Sequence, residues 1–187
     1  MIKPWKVLSS KITFTDAWMT LRTDQCELGN GNVIDNYHVI DAKTWVNVIA
    51  LTDDGEVVLI REYRHGIEEV TLGLPGGCAE DDDPSMAIAA SREFEEETGF
   101  TCREYVATGT ASANWADHSN QIHFFLGFGA TPTGKQALDP NEEIEVLTQP
   151  YAEFCTYDFP GAKHTHHAAA LFYAERYFAR NPERRPG

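Results

Sequence analysis

The chain has no stretch near the ~18 consecutive apolar residues that a membrane-crossing helix requires. Its opening residues, MIKPWKVLSS, hold no apolar run suited to a secretory signal. Cysteine is scarce. Cys26, Cys78, Cys102 and Cys155 lie far apart with no Cys-x-x-Cys pair, which argues against a zinc or disulfide framework and for reduced thiols in a cytoplasmic protein. Basic residues are in short supply as well: 15 Lys and Arg face 29 Asp and Glu, a formal net charge of −14. Such a surface repels a phosphate backbone, so neither nucleic acid nor a membrane is expected as a partner. A small phosphorylated ligand meets the same repulsion, and needs a metal ion or a local arginine to bind. No internal repeat or low-complexity tract is visible.

What is present is an ordinary globular composition. The chain has 187 residues, 42% hydrophobic and 24% charged, enough for one domain with a sizeable core and a small additional lobe. Residues 1–42 read as a β-rich N-terminal lobe, with WKVLSS, KITF and AWMTLR as strands and LGNGN closing a hairpin onto VIDNYHVI. Residues 43–180 form the main domain, of α/β (α+β) class. WVNVIAL and EVVLIREY make a hairpin around Asp53-Asp54-Gly55, and VTLGL ends at Pro75-Gly76-Gly77. A helix follows, with Asp83 as N-cap, Pro84 at its first position and Gly99 as its stop. REYVATGT, QIHFFLGFGA and IEVLTQ read as strands, and Thr165 to Arg180 as an amphipathic helix. Residues 181–187, NPERRPG, read as a frayed tail.

The chemistry concentrates in the helix from Pro84 to Thr98. At about 100° per residue, Glu93, Glu96 and Glu97 share one sector beside the apolar stripe of Met86, Ala87, Ala90 and Phe94, while Glu95 points away. Like charges one turn apart repel, and at a helix C-terminus the macrodipole disfavours them further. Two readings are open: a solvated acidic face, or a socket for a hard divalent cation that reverses both penalties. The Pro-Gly-Gly turn upstream lets backbone approach an ion closely and favours the second. Elsewhere, His164, His166 and His167 could share an ion or form a polar first helical turn. No further ligand stands near them, which favours the polar turn.

At these residues the sequence resembles the Nudix hydrolases. Arg92-Glu93-Phe94-Glu95-Glu96-Glu97-Thr98-Gly99-Phe100 fits the second half of their box, G-x5-E-x7-R-E-U-x-E-E-x-G-U, at every fixed position. The first half departs: six residues after Gly77 stands Asp83 in place of Glu, and eight residues separate it from Arg92 where the family has seven. WVNVIAL, VVLIREYRHGI, LGLPGG and PNEEIEV resemble the ADP-ribose pyrophosphatase branch of the family.

The resemblance implies a Nudix fold, with a mixed β-sheet sandwiched between helices and an N-terminal lobe that forms a homodimer. It implies metal-dependent hydrolysis of the diphosphate bond in a nucleoside diphosphate-linked compound, such as ADP-ribose or a sugar nucleotide. Mg²⁺ is the expected ion, with Mn²⁺ able to replace it. Its ligands are expected to be Glu93 and Glu97, then Glu96, the Gly76 carbonyl and Glu142. Arg92 is expected to orient a box carboxylate. Glu142 or Glu96 would handle water activation, with Glu143 and Glu145 as alternates. Arg64 matches a phosphate-contacting arginine, although it could equally cap a strand end. Trp115, in the loop SANWADHSN, is the best placed of the tryptophans to stack on a base. The proline and tyrosine that mark particular substrate classes are missing from that loop, and Gly73 stands where many ADP-ribose enzymes carry an acid, so the substrate stays open. A nucleotide-binding regulator with the same fold and no turnover is the competing reading.

Overall fold

A computed structural model describes residues 2–158 and 163–187. Two compact units emerge. One comprises residues 1–44 with 112–121, the other residues 45–111 with 122–187.

In the first unit, β1 (Lys6–Thr15), β2 (Met19–Glu27) and β3 (Val33–Ala42) make an antiparallel sheet in that order. WKVLSS and KITF belong to one continuous strand, bent by irregularities between Val7 and Ser9 and between Ile12 and Phe14. Residues 112–121 join this unit, although they lie within the stretch read as the main domain. Ile40 N–H donates to Asp117 O at 2.7 Å, Asn120 Nδ2 to Lys43 O at 2.8 Å, and the Tyr37 hydroxyl to Ala116 O.

The second unit is built on β4 (Trp45–Leu51), β5 (Glu56–Arg64), β6 (Glu69–Gly73), β7 (Phe100–Thr101), β8 (Glu104–Ser112), β9 (Gln121–Phe128), β10 (Thr131–Pro132) and β11 (Ile144–Pro150). Its helices are α1 (Met86–Thr98), α2 (Tyr151–Thr156) and α3 (Thr165–Phe178). The main sheet runs β11-β5-β4-β9-β8 with β6 on β5, and it is mixed, since β4 and β9 are parallel while β5 is antiparallel to β4, β6 and β11.

Strand alternation assigns the two faces of this sheet. Val46, Val48, Ala50, Val58 and Phe125 pack with Ala89, Ala90 and Phe94 of α1. On the other face Phe124 stacks on Tyr173 at 5.3 Å, and Phe128 meets Phe178 edge-on. The sheet is therefore sandwiched between α1 and α3, as the resemblance implies. Burial on both faces explains why WVNVIAL and VVLI read as continuous apolar runs.

One local reading is corrected. Helix α1 begins after Ser85, whose Oγ accepts from Ile88 N–H at 3.3 Å. Asp83 does not cap it, because its carboxylate is taken up by Arg92 and by Glu80 N–H. Within the C-terminal tail Pro182–Arg184 form a 3-10 turn, and the Arg184 guanidinium lies 3.8 Å from the Phe128 ring centroid while pairing with Glu104.

Candidate active site

The glycine loop between β6 and α1 behaves as a short extra strand. Val48 N–H donates to Pro75 O at 3.1 Å and Val46 N–H to Gly77 O at 2.9 Å. The Gly76 peptide between them faces α1, and its N–H donates to Glu97 Oε2 at 2.7 Å. Gly76 has φ +153°, and a Cβ there would come 2.1 Å from Val46 O, so only glycine fits. At Gly77 a Cβ would come 2.2 Å from Glu93 Oε2. The two glycines thus let two carboxylates lie directly against the backbone.

Glu97 is buried, at 5% exposure, although it is an acid. Burial pushes its pKa well up, and the neighbouring carboxylates of Glu62, Glu93 and Glu142 push it further, against the Gly76 hydrogen bond. Burial likewise raises Glu93 to about 7, with Arg92 opposing and Glu96 and Glu142 adding to the rise. Glu62 is also raised, by burial first, with Arg64 opposing and Glu142 adding. Five carboxylates from β5, α1 and the loop before β11 therefore share one electrostatic neighbourhood.

Arg92 organises part of it. Its Nη1 donates to Glu93 Oε1 at 2.9 Å and Glu96 Oε2 at 3.0 Å, and its Nη2 to Cys78 O at 3.1 Å. Nε and Nη2 grip both oxygens of Asp83, at 3.2 and 2.9 Å. Arg92 pairs with Glu93 and Glu96, whereas the buried Glu97 carboxylate is held by the Gly76 N–H. A buried carboxylate beside other carboxylates is donor chemistry that suits a divalent cation. Among the described residues no three of these side chains already converge as a finished cage.

The remaining candidates divide. Glu142 is exposed, and its Oε2 accepts from Asp139 N–H at 3.0 Å, which folds the loop back on itself. Glu145 pairs with Arg61 at 2.7 Å. It lies opposite Arg61 in the β11–β5 register and so on the other sheet face from Glu62, which lies opposite Ile144. Arg64 pairs with Glu62 at 2.5 Å, which brings it to the edge of the acid cluster. Trp115 belongs to the other unit and is 91% exposed. His164 caps α3, its ring accepting from His166 N–H at 3.2 Å, and no metal-holding group forms among the described histidines.

Two contributors escaped the sequence reading. Glu62 is one, hidden in a strand whose alternation gives no hint of what faces it. Gln136 is the other: its Nε2 donates to Glu97 O at 2.7 Å and Ile144 O at 3.2 Å, tying the end of α1 to the start of β11. No local pattern marks it. Asp83, read as the displaced box acid and as a helix cap, is the partner of Arg92.

The NUDIX domain family model matches residues 43–172, and the model of the nucleoside diphosphate sugar hydrolase N-terminal domain matches residues 5–40. The chain therefore belongs to the Nudix family. It is 29% identical over 146 residues to a methanol dehydrogenase activator of Bacillus methanolicus, 76% of each chain. Against an ADP-ribose pyrophosphatase of Bacillus subtilis it is 27% identical over 145 residues, again 76% of each. Against one from Mycobacterium tuberculosis it is 26% identical over 153 residues, 80% of this chain and 72% of that one. A crystal structure of an ADP compounds hydrolase shares the fold, with a TM-score of 0.82 at 21% identity over 97% of both chains. No helix among the described residues is long and apolar enough to cross a membrane.

Proposed function

We propose that the protein hydrolyses the diphosphate bond of an ADP-ribose-like or sugar-nucleotide substrate, using Mg²⁺ or Mn²⁺ held chiefly by Glu93 and Glu97. The observation that carries this reading is Glu97: a buried acid, fixed by the Gly76 N–H and repelled by neighbouring carboxylates. Glu96, the Gly76 carbonyl and Glu142 complete the ligand set. When bound, the ion neutralises the diphosphate and favours attack by water in line with the leaving group. Arg92 holds Glu93 and Glu96 in orientation, and Asp83 holds Arg92. Arg64 exchanges part of its pairing with Glu62 for a substrate phosphate oxygen, a role to which a guanidinium is suited. Glu142 accepts the proton of the attacking water, since an exposed carboxylate whose charge acts on Glu62, Glu93 and Glu97 is available as a general base.

The test is a substrate panel of ADP-ribose, NADH and sugar nucleotides, with release of nucleoside monophosphate followed with and without Mg²⁺. No cleavage of any compound, together with Glu97→Gln indistinguishable from the parent in nucleotide binding, would overturn the reading. The non-hydrolysing regulator is motivated by the lengthened box, but Asp83 still engages Arg92 across the extra residue. Calorimetric binding without product formation would favour it.

The N-terminal lobe, residues 1–42, is proposed to join two copies into a homodimer, alongside a hydrolase domain spanning 43–180. β1 is exposed at all ten positions, and Val7, Ile12 and Phe14 are 56%, 62% and 49% exposed. An apolar strand edge of this kind calls for a cover. Light scattering should give the mass of two chains, and removal of residues 1–40 should abolish the dimer. A one-chain mass for the intact protein would count against it. The unpaired Cys26, Cys102 and Cys155 support a reducing, cytoplasmic setting.

A further inference from the structure

We propose that His167, in the first turn of α3, is a positioning residue for the glycine loop Leu74–Gly77 that presents the metal-binding end of the site. The inference rests on the hydrolase reading above. Leu74 N–H donates to His167 Nε2 at 3.4 Å. The ring also fills the space over the preceding residue: a Cβ built on Gly73 would lie 2.3 Å from His167 Cε1 and 3.1 Å from Nδ1. Gly73 and His167 are therefore a matched pair, a missing side chain on β6 and a ring supplied by α3.

The consequence is mechanical. The loop is held at three places by three elements. At its entrance His167 holds Leu74, which is buried at 3% exposure. Along one edge β4 donates to the carbonyls of Pro75 and Gly77. At its exit the Gly76 N–H meets Glu97 of α1. Of these contacts, the histidine is the only one made by a side chain from outside the box and from the far face of the sheet. A residue that fixes the loop's entrance fixes where the Gly76 peptide sits, and with it the separation of the Gly76 carbonyl from Glu97.

The chemistry of the contact defines the form of the ring. Nε2 accepts, so the imidazole is neutral with its proton on Nδ1. Burial, with His164, His166 and Arg64 nearby, holds the ring's pKa down to about 3, so the accepting form persists at neutral pH. His167 therefore positions and does not shuttle protons.

Amide hydrogen exchange of the metal-free protein tests this directly, without relying on turnover. His167→Ala should speed exchange at Leu74 and Gly76 at least tenfold and leave Val58 and Leu59 of β5 unchanged. His167→Gln supplies a carbonyl acceptor at similar reach and should restore at least half of the lost protection on a logarithmic scale. In the hydrolase assay His167→Ala should raise the Mg²⁺ concentration for half-activation about tenfold, the scale seen when a group behind a metal ligand is lost, with substrate KM within twofold. Unchanged exchange at Leu74 and Gly76, or equal exchange in the Ala and Gln variants, overturns the proposal. So does exchange that rises uniformly over β5, which marks general destabilisation. Should the parent cleave no substrate, the hydrolase reading fails, while the exchange data still decide whether His167 holds the loop.

Discussion

Asp83 and Arg92 meet side by side through two hydrogen bonds, Nε to Oδ1 at 3.2 Å and Nη2 to Oδ2 at 2.9 Å, although eight residues lie between them where the family has seven. The extra residue is absorbed in a turn. Asp83 N–H donates to Glu80 O at 3.2 Å, and Glu80 N–H donates back to Asp83 Oδ2 at 2.8 Å. The shorter side chain reaches because the turn brings its backbone in. Arg92 holds the Asp83 carboxyl below the usual carboxylate range. Asp83→Ala should therefore lower kcat/KM by about 10–100-fold, the cost of losing a partner that orients a metal ligand. Its melting temperature should fall at pH 7. A lowered acid pKa contributes stability in full above the unfolded value of about 3.9 and loses it as pH falls through the folded value. The deficit of the variant against the parent should thus shrink below about pH 4, which a pH series of thermal melts would reveal.

Glu97→Gln separates stability from activity. The amide keeps an oxygen for the Gly76 N–H but removes a buried charge repelled by Glu62, Glu93 and Glu142. In EDTA at pH 8 the variant should melt at or above the parent temperature, because burying an uncompensated carboxylate is costly. Hydrolysis should drop by at least about 100-fold, as expected when a metal ligand, and not merely a group behind it, is lost. A variant that melts well below the parent would show that the charge is not a burden on the metal-free fold.

The pH dependence of the metal-free protein follows from Glu93, raised to about 7 by burial. An acid whose folded pKa is raised binds its proton more tightly when folded. Its contribution to stability is complete below the unfolded value of about 4.3 and is lost as pH rises through the folded value. Metal-free stability should therefore decline between about pH 5 and 8. A cation competes with that proton, so the stabilisation by 5 mM Mg²⁺ (about that concentration) should grow over the same interval. Melts with EDTA and with Mg²⁺ at pH 5.5 and 8 would check both directions; a constant Mg²⁺ shift across this range would refute the coupling.

The parts legible in sequence were those fixed by local pattern. The acidic sector of α1 followed from helix geometry, since Glu93, Glu96 and Glu97 all lie on the side that Arg92 and the glycine loop occupy, and Glu95 does point away to Thr101. The hairpin of β4 and β5 followed from apolar runs around an Asp-Asp-Gly turn. What stayed hidden depended on register and on distant chain segments. Glu62 joins the acids only because it lies opposite Ile144 on β11. His167 meets Leu74 across 93 residues of sequence. Asp83 was read as a helix cap because Asp before Pro carries that signal, whereas competition from Arg92 leaves the cap to Ser85. The placement of residues 112–121 with the N-terminal strands rests on hydrogen bonds to Ile40 and Lys43 that no composition shift announces.

Glu142 and Glu145 offer the sharpest contrast between acids near the end of the site. Glu142 stands in the loop before β11 and Glu145 at its start, three residues apart, and sequence alone left either as a candidate base. Glu145 is held by Arg61 at 2.7 Å on the sheet face opposite Glu62. Glu142 instead raises the pKa of Glu62, Glu93 and Glu97, which places its charge among theirs. Glu142→Gln should reduce kcat by about 10²–10⁴-fold, the range for loss of a general base, with the loss partly hidden at high pH where hydroxide replaces the base. Glu145→Gln breaks an exposed ion pair worth at most about 1 kcal/mol and should leave kcat within about fivefold, since about 1.36 kcal/mol is needed for a tenfold change. Steady-state rates for the two variants from pH 6 to 9.5 separate the roles. Equal rates would reassign the base to another carboxylate of the cluster, and Glu62, paired with Arg64 at 2.5 Å and covered by the fold, would be the next to substitute.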